Sequence, residues 1–153
     1  MLLQKAIEEK IVHELKNILC ALESVEVHGA WCESFAGLTR WSENPESDAF
    51  VSVALSTPSR NASTDPTATM SANVSVFVRI ERDPTGEKLC EICERLQTLF
   101  NSWIGWTHEH TLTDLDTDDF SIDGIALGAG TSPTIQNAIA AVTYTLELSG
   151  SYT

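Results

Sequence analysis

Leu3, Ile7, Ile11, Leu15, Ile18 and Leu22 recur at steps of three and four residues. On a helix of 3.6 residues per turn, those steps place all six side chains on one stripe. Glu8, Glu9, Glu14 and Lys16 fall mostly off it. The spacing therefore predicts a helix over residues 2–22 that is apolar along one side only. Each stripe residue contributes about 1.5–3 kcal/mol when fully buried. The stripe demands a cover, which has to be a sheet or another helix.

The rest of the chain supplies both. Residues 72–81 alternate, with Val74, Val76, Val78 and Ile80 on one face and Ser75, Phe77, Arg79 and Glu81 on the other, as a half-buried strand does. Phe50–Ser56 alternates in the same way through Val51, Val53 and Leu55. Between them, residues 57–71 hold Pro58 and Pro66 among Ser, Thr, Asn and Ala and predict an exposed, mobile loop at the tip of a long hairpin. Asp83-Pro84 reads as the start of a second helix, with Asp83 as cap and Pro84 at the first helical position. Leu89, Ile92, Leu96, Leu99 and Trp103 form its stripe, which should end near Asn101–Gly105. Strands are expected at Trp106–Leu112, Phe120–Leu127 and Asn137–Leu148, and Val25-Glu26-Val27 is a shorter alternating piece. Residues 28–49 read as a partly ordered connection with a short strand near Leu38–Trp41. The order of helix, strands, helix, strands predicts one α+β domain over residues 1–153, with a mainly antiparallel sheet and two helices on one face.

Charge narrows what such a domain can touch. The chain has nine Lys and Arg against 22 Asp and Glu, a formal net charge of −13. Arg95 is the last basic residue, and Glu109, Asp114, Asp116, Asp118, Asp119, Asp123 and Glu147 follow it with nothing to pair them. Such a surface repels the phosphate backbone of nucleic acid and anionic membranes. No run of about 18 apolar residues suggests a membrane helix, and Lys5, Glu8, Glu9 and Lys10 break any signal-peptide core. Cys20, Cys32, Cys90 and Cys93 are then expected as free thiols in a reducing compartment.

Motifs for chemistry are sparse. Cys90-Glu91-Ile92-Cys93 is a single Cys-x-x-Cys unit, half of what a four-ligand zinc site uses, and it falls inside a helix rather than at its start, where redox pairs sit. His108 and His110 share one face of the expected strand and would need Asp114 or Asp116 as a third metal ligand. Asp114, Asp116 and Asp118 begin like a calcium loop, but Asp119 stands where the glycine belongs and Ile125 where the glutamate belongs. No nucleophile elbow, phosphate loop or dinucleotide fingerprint is present. The expectation is a protein that is not an enzyme and carries no cofactor or metal, with a small metal or redox protein using Cys90 and Cys93 as the alternative.

One resemblance gives this a specific form. The leading helix 2–22, the long-tipped hairpin ending in Val-Phe-Val-Arg-Ile-Glu-Arg-Asp-Pro-Thr-Gly (76–86), the helix that follows and the closing Ala-Val-Thr-Tyr-Thr-Leu-Glu-Leu (141–148) together resemble the tail terminator, or tail-completion, proteins of long-tailed bacteriophages. The resemblance lies in the order of elements over most of the chain. It implies a ring, commonly a hexamer, that caps the tail tube, meets the head or neck and lets DNA pass through its hole. It also implies a place in the virion after assembly in the host cytoplasm. On that reading Asp114, Asp116, Asp118, Asp119 and Asp123 would line the hole and repel passing DNA, and Arg79, Arg82 or Lys88 would meet acids of a neighbouring subunit.

Overall fold

The apolar stripe of the first helix finds its cover in a sheet. A computed structural model describes residues 2–32, 47–109, 115–128 and 130–153, apart from the side chains of 105–109. Helix α1 (Leu3–Leu19) buries Ile7, Ile11, Val12, Leu15 and Leu19. The stripe is wider than its apolar residues suggest, because Gln4 and Glu8 are buried with it. Glu8 was expected largely off the stripe and is instead completely enclosed.

Strand β1 (Val25–Gly29) pairs in parallel with β2 (Ala49–Leu55). Every other strand pairing is antiparallel: β2 with β3 (Thr67–Arg79), β3 with β6 (Ile139–Tyr152), and β6 with both β4 (Phe120–Leu127) and the short β5 (Thr134–Gln136). The order across the sheet is β1-β2-β3-β6-β4, with β5 also on β6. The expected α+β fold is therefore the observed one.

Alternation explains the layering. Val51, Val53, Val74, Val76, Val142 and Leu146 all point to one face, the pairing register aligns them, and none is more than marginally exposed. Helix α1 packs on β1 and β2, and helix α2 (Glu87–Glu109) packs on β3 and β4 and touches α1. Helix α2 contributes Ile92, Leu96, Phe100 and Trp103 to the same core. The opposite face carries Ser75, Thr143, Thr145 and Asn73, which hydrogen-bond across strands. At its β1 end Phe50 is buried between His28, whose ring centroid lies 5.1 Å away, and Phe77 at 6.2 Å.

Several boundaries differ from expectation, each for a local reason. Residues 67–71 belong to β3 and not to the 57–71 loop, because Ala68 and Met70 continue the alternation into the core. Only 56–66 connect β2 to β3. Ile80 leaves the strand for a 3-10 turn, Ile80–Arg82. Pro84 does not open α2 but sits in the turn before it, and Asp83 caps from further away: its two carboxylate oxygens accept the Lys88 and Leu89 backbone N–H groups, both at 3.0 Å. Helix α2 runs through Gly105 to Glu109, since a mid-helix glycine costs only about 1 kcal/mol. The strand expected at Trp106–Leu112 is thus helical over 106–109, and its remainder lies outside the described residues. So does the strand expected near Leu38–Trp41.

Candidate functional site

The expected site residues divide between the two ends of the longest ladder. Thr67 lies opposite Ser151 and Arg79 opposite Ile139, so β3 and β6 pair over their whole common length. Phe120 lies opposite Tyr152 at the first end. The acidic turn before β4 therefore sits at one end of the sheet, and Arg79 with the turn bearing Arg82 sits at the other. Thirteen residues of β3 at about 3.3 Å each separate them by roughly 40 Å.

The acidic end is built by a tight turn. Thr117 and Phe120 exchange backbone hydrogen bonds of 2.9 and 3.4 Å, which leaves Asp118 and Asp119 at the tip, exposed. The end of the chain fixes this tip: Thr153 donates its backbone N–H to the Asp119 carbonyl at 3.1 Å and its hydroxyl to the Asp118 carbonyl at 2.9 Å. Asp116 has a structural task, accepting the Ile122 N–H at 2.8 Å. Across from the turn stand Glu9, Lys10, His13 and Glu14 of α1, and the two sides enclose an open cleft of about 610 Å³. Asp123 is separate from this group. It lies at a bulge in β4, exposed, and accepts the Ser149 hydroxyl at 3.3 Å. Asp114 lies outside the described residues.

The basic end is largely committed to the fold. Lys88 Nζ reaches Asp48 Oδ2 at 2.8 Å and the Glu23 carbonyl at 2.6 Å, tying α2 to the start of β2. Arg79 Nε donates to the Ser47 carbonyl at 2.9 Å. Arg82 is exposed at the end of the 3-10 turn. Lys88 therefore has its ammonium group engaged within the chain.

The cysteines are all free. Cys90 is exposed and Cys93 half-buried on α2. Burial pushes the Cys93 thiol up, opposed by its contact with the Tyr144 hydroxyl, which itself accepts from Gln97 at 2.9 Å. A raised thiol is the opposite of what a redox nucleophile needs. Among the described residues, no three His, Cys, Asp or Glu side chains gather as a metal would require. The side chains of His108 and His110 lie outside the described residues.

The most unusual polar group, Glu8, is not among the expected site residues. Glu8 Oε2 accepts the backbone N–H groups of Trp31 at 2.8 Å and Cys32 at 2.9 Å, while Oε1 is buried without a hydrogen-bond partner. Burial pushes its carboxyl up, and the bonds from Cys32 and Trp31 pull the other way. Cys32 in turn is pushed up to about 12 by burial and by the carboxylate beside it. Gly29 makes the approach possible, because a Cβ there would collide with Glu8 Oε2. The available signals were Glu8 standing between Ile7 and Ile11 and a glycine closing β1. This constellation is a clasp between α1 and the chain leaving β1. It holds backbone.

No family model matches the chain, and no curated protein matches it. Among solved structures, one that is 15% identical covers 99% of this chain and 95% of its own with a TM-score of 0.50. Its designation names no activity, ligand or partner, and at that identity the likeness shows the fold alone.

Proposed function

We propose that this protein is a structural assembly subunit of a long-tailed phage, which forms a ring that caps the tail tube, joins it to the head or neck and leaves an acidic passage for DNA. The observation that carries the reading is the exposed carboxylate tip at one end of the sheet. Asp118 and Asp119 stand exposed on a hydrogen-bonded turn, with Glu9 and Glu14, as well as Lys10 and His13, facing them across an open cleft. A subunit with one acidic end can present that end to a common axis when copies are arranged around it. Carboxylates there would repel phosphate and let DNA slide instead of binding. The order of elements, which resembles the tail-completion proteins, supports the same reading.

The test is tube-length control. Tail-tube subunits are polymerised with and without this protein, and lengths are measured by electron microscopy. Capping predicts that tubes stop growing once one ring per end is supplied. Unchanged length distributions with no protein at the tube ends would reject the reading.

A further inference from the structure

The residues between β4 and the middle of β6 form a region unlike the rest of the surface. From Gly124 to Leu146 the chain contains no Asp, Glu, Lys, Arg or His. Within it, residues 130–138 are all exposed. Strand β5 has neither face buried, so the core does not account for its being a strand. Ile135 at its centre is 72% exposed, against 48% for Leu2, the other large exposed hydrophobic residue among the described residues.

The arm nonetheless has a defined turn. Asn137 and Ala138 connect β5 to β6 with φ of 52° and 60°, the two positive angles of a type I′ hairpin turn. Asparagine enters that region readily. Alanine does so at a cost of about 1–2 kcal/mol, so the sequence maintains this turn against a local penalty.

Hydrogen-bond alternation then fixes what the arm offers. Thr131 N–H donates to the Thr143 carbonyl at 3.0 Å, Thr143 N–H to Thr131 Oγ1 at 2.8 Å, and Gly128 N–H to the Thr145 carbonyl at 2.8 Å. The odd-numbered residues of β6 thus turn their backbone groups toward β4 and β5. Ile139 and Ala141 belong to that set, and they pair with Gln136 and Thr134. Ile135 pairs with Ala140, the non-bonded position, so its own N–H and C=O face away from β6. One residue therefore presents an apolar side chain and an open strand edge together. That combination is a template for adding a strand, which natural monomers normally protect with charge or proline; Pro133 ahead of β5 removes one donor, so the open edge is confined to Ile135.

We infer that the β5–β6 arm is the element by which this chain binds a second copy of itself, adding Ile135 and its backbone to the edge of a neighbouring sheet. Charge identifies the occupant. Two copies at −13 each repel over most of their surfaces, and the charge-free arm can approach another copy without adding a like charge. The opposite edge of the same sheet ends in β1. Arm to β1 is a head-to-tail contact between different surfaces, which generates a ring when the rotation closes. This direction of assembly rests on the ring reading above, whereas the self-association of the arm stands on the observations just given.

The test is sedimentation of the full chain and two variants over a range of concentrations. Ile135→Asp places a charge on the arm. Ile135→Pro removes the outward N–H, which no bond to β6 uses. Both are expected to raise the apparent dissociation constant about tenfold or more with the thermal transition of the dissociated chain unchanged. If the unaltered chain associates and both variants associate equally well, the arm is not the contact and the ring reading survives on another surface. A chain that stays monomeric at every concentration overturns the arm inference, and tube capping then decides the ring reading separately.

Discussion

Replacing Glu8 separates two effects that the structure places in opposition. Its carboxylate is fully enclosed, which costs stability, and it satisfies two backbone donors, which restores some. Glu8→Gln keeps an oxygen for both donors and removes the charge. Glu8→Ala removes both. An unsatisfied buried N–H costs about 1–3 kcal/mol. Trp31 and Cys32 are only half-buried, so the lower part of that range applies. Glu8→Ala should therefore be less stable than Glu8→Gln by about 2–4 kcal/mol, measured by urea unfolding at pH 8. The pH dependence has a definite sign. Because burial raises the Glu8 carboxyl, its favourable contribution is complete below the ordinary value of 4.5. It is lost as pH rises through the folded-state value. The advantage of Glu8→Gln over the natural chain should accordingly grow from pH 5 to pH 8. Gly29→Ala offers a cross-check, since its Cβ meets the carboxylate. It should destabilise the natural chain more than it destabilises Glu8→Ala. Equal stability of the Ala and Gln variants, or an advantage of Gln that shrinks with rising pH, would refute the reasoning.

Two further outcomes follow from particular contacts. Asp83→Ala strips the Lys88 and Leu89 N–H groups of their acceptor and should cost about 1–2 kcal/mol in thermal or chemical unfolding; Asp83→Asn should recover part of that loss. In alkylation followed by peptide mass spectrometry, the exposed Cys20 and Cys90 should react well before Cys93 and Cys32. A shift of the Cys32 thiol from 9.0 to about 12 lowers its thiolate fraction about a thousandfold at neutral pH, so fast labelling of Cys32 in the folded chain would contradict its placement beside Glu8.

What the sequence disclosed and what it concealed have physical causes. Alternation over 72–78 and at 51–55 located β3 and β2 because one face of each strand is buried. The strand at Phe120–Leu127 was legible to the residue, since Phe120, Ile122 and Ile125 reach the core. Beyond Leu148 the last strand was hidden: Ser149, Gly150 and Ser151 carry no apolar signal, yet β4 pairs with them, and Gly150 lies so close to Phe120 that a Cβ would collide with its ring. The end of α2 was misplaced because Asn101 and Gly105 look like stop signals, whereas burial of Phe100 and Trp103 carries the helix past them. Burial of Glu8 and the arm at Ile135 were illegible for a common reason. Each depends on which distant segment the chain meets, and local periodicity does not encode that. The charge asymmetry was visible in the sequence, but its division between Asp118 and Asp119 at one end and Asp123 on the outer face required the pairing register.

Native mass spectrometry of the intact chain at near-physiological ionic strength bears most directly on the claim that this protein acts by assembling. The account predicts one closed homo-oligomer with a fixed subunit number, alone or once tail-tube ends are supplied. A chain that remains a monomer under both conditions, while retaining a bound metal ion or small molecule, would contradict it.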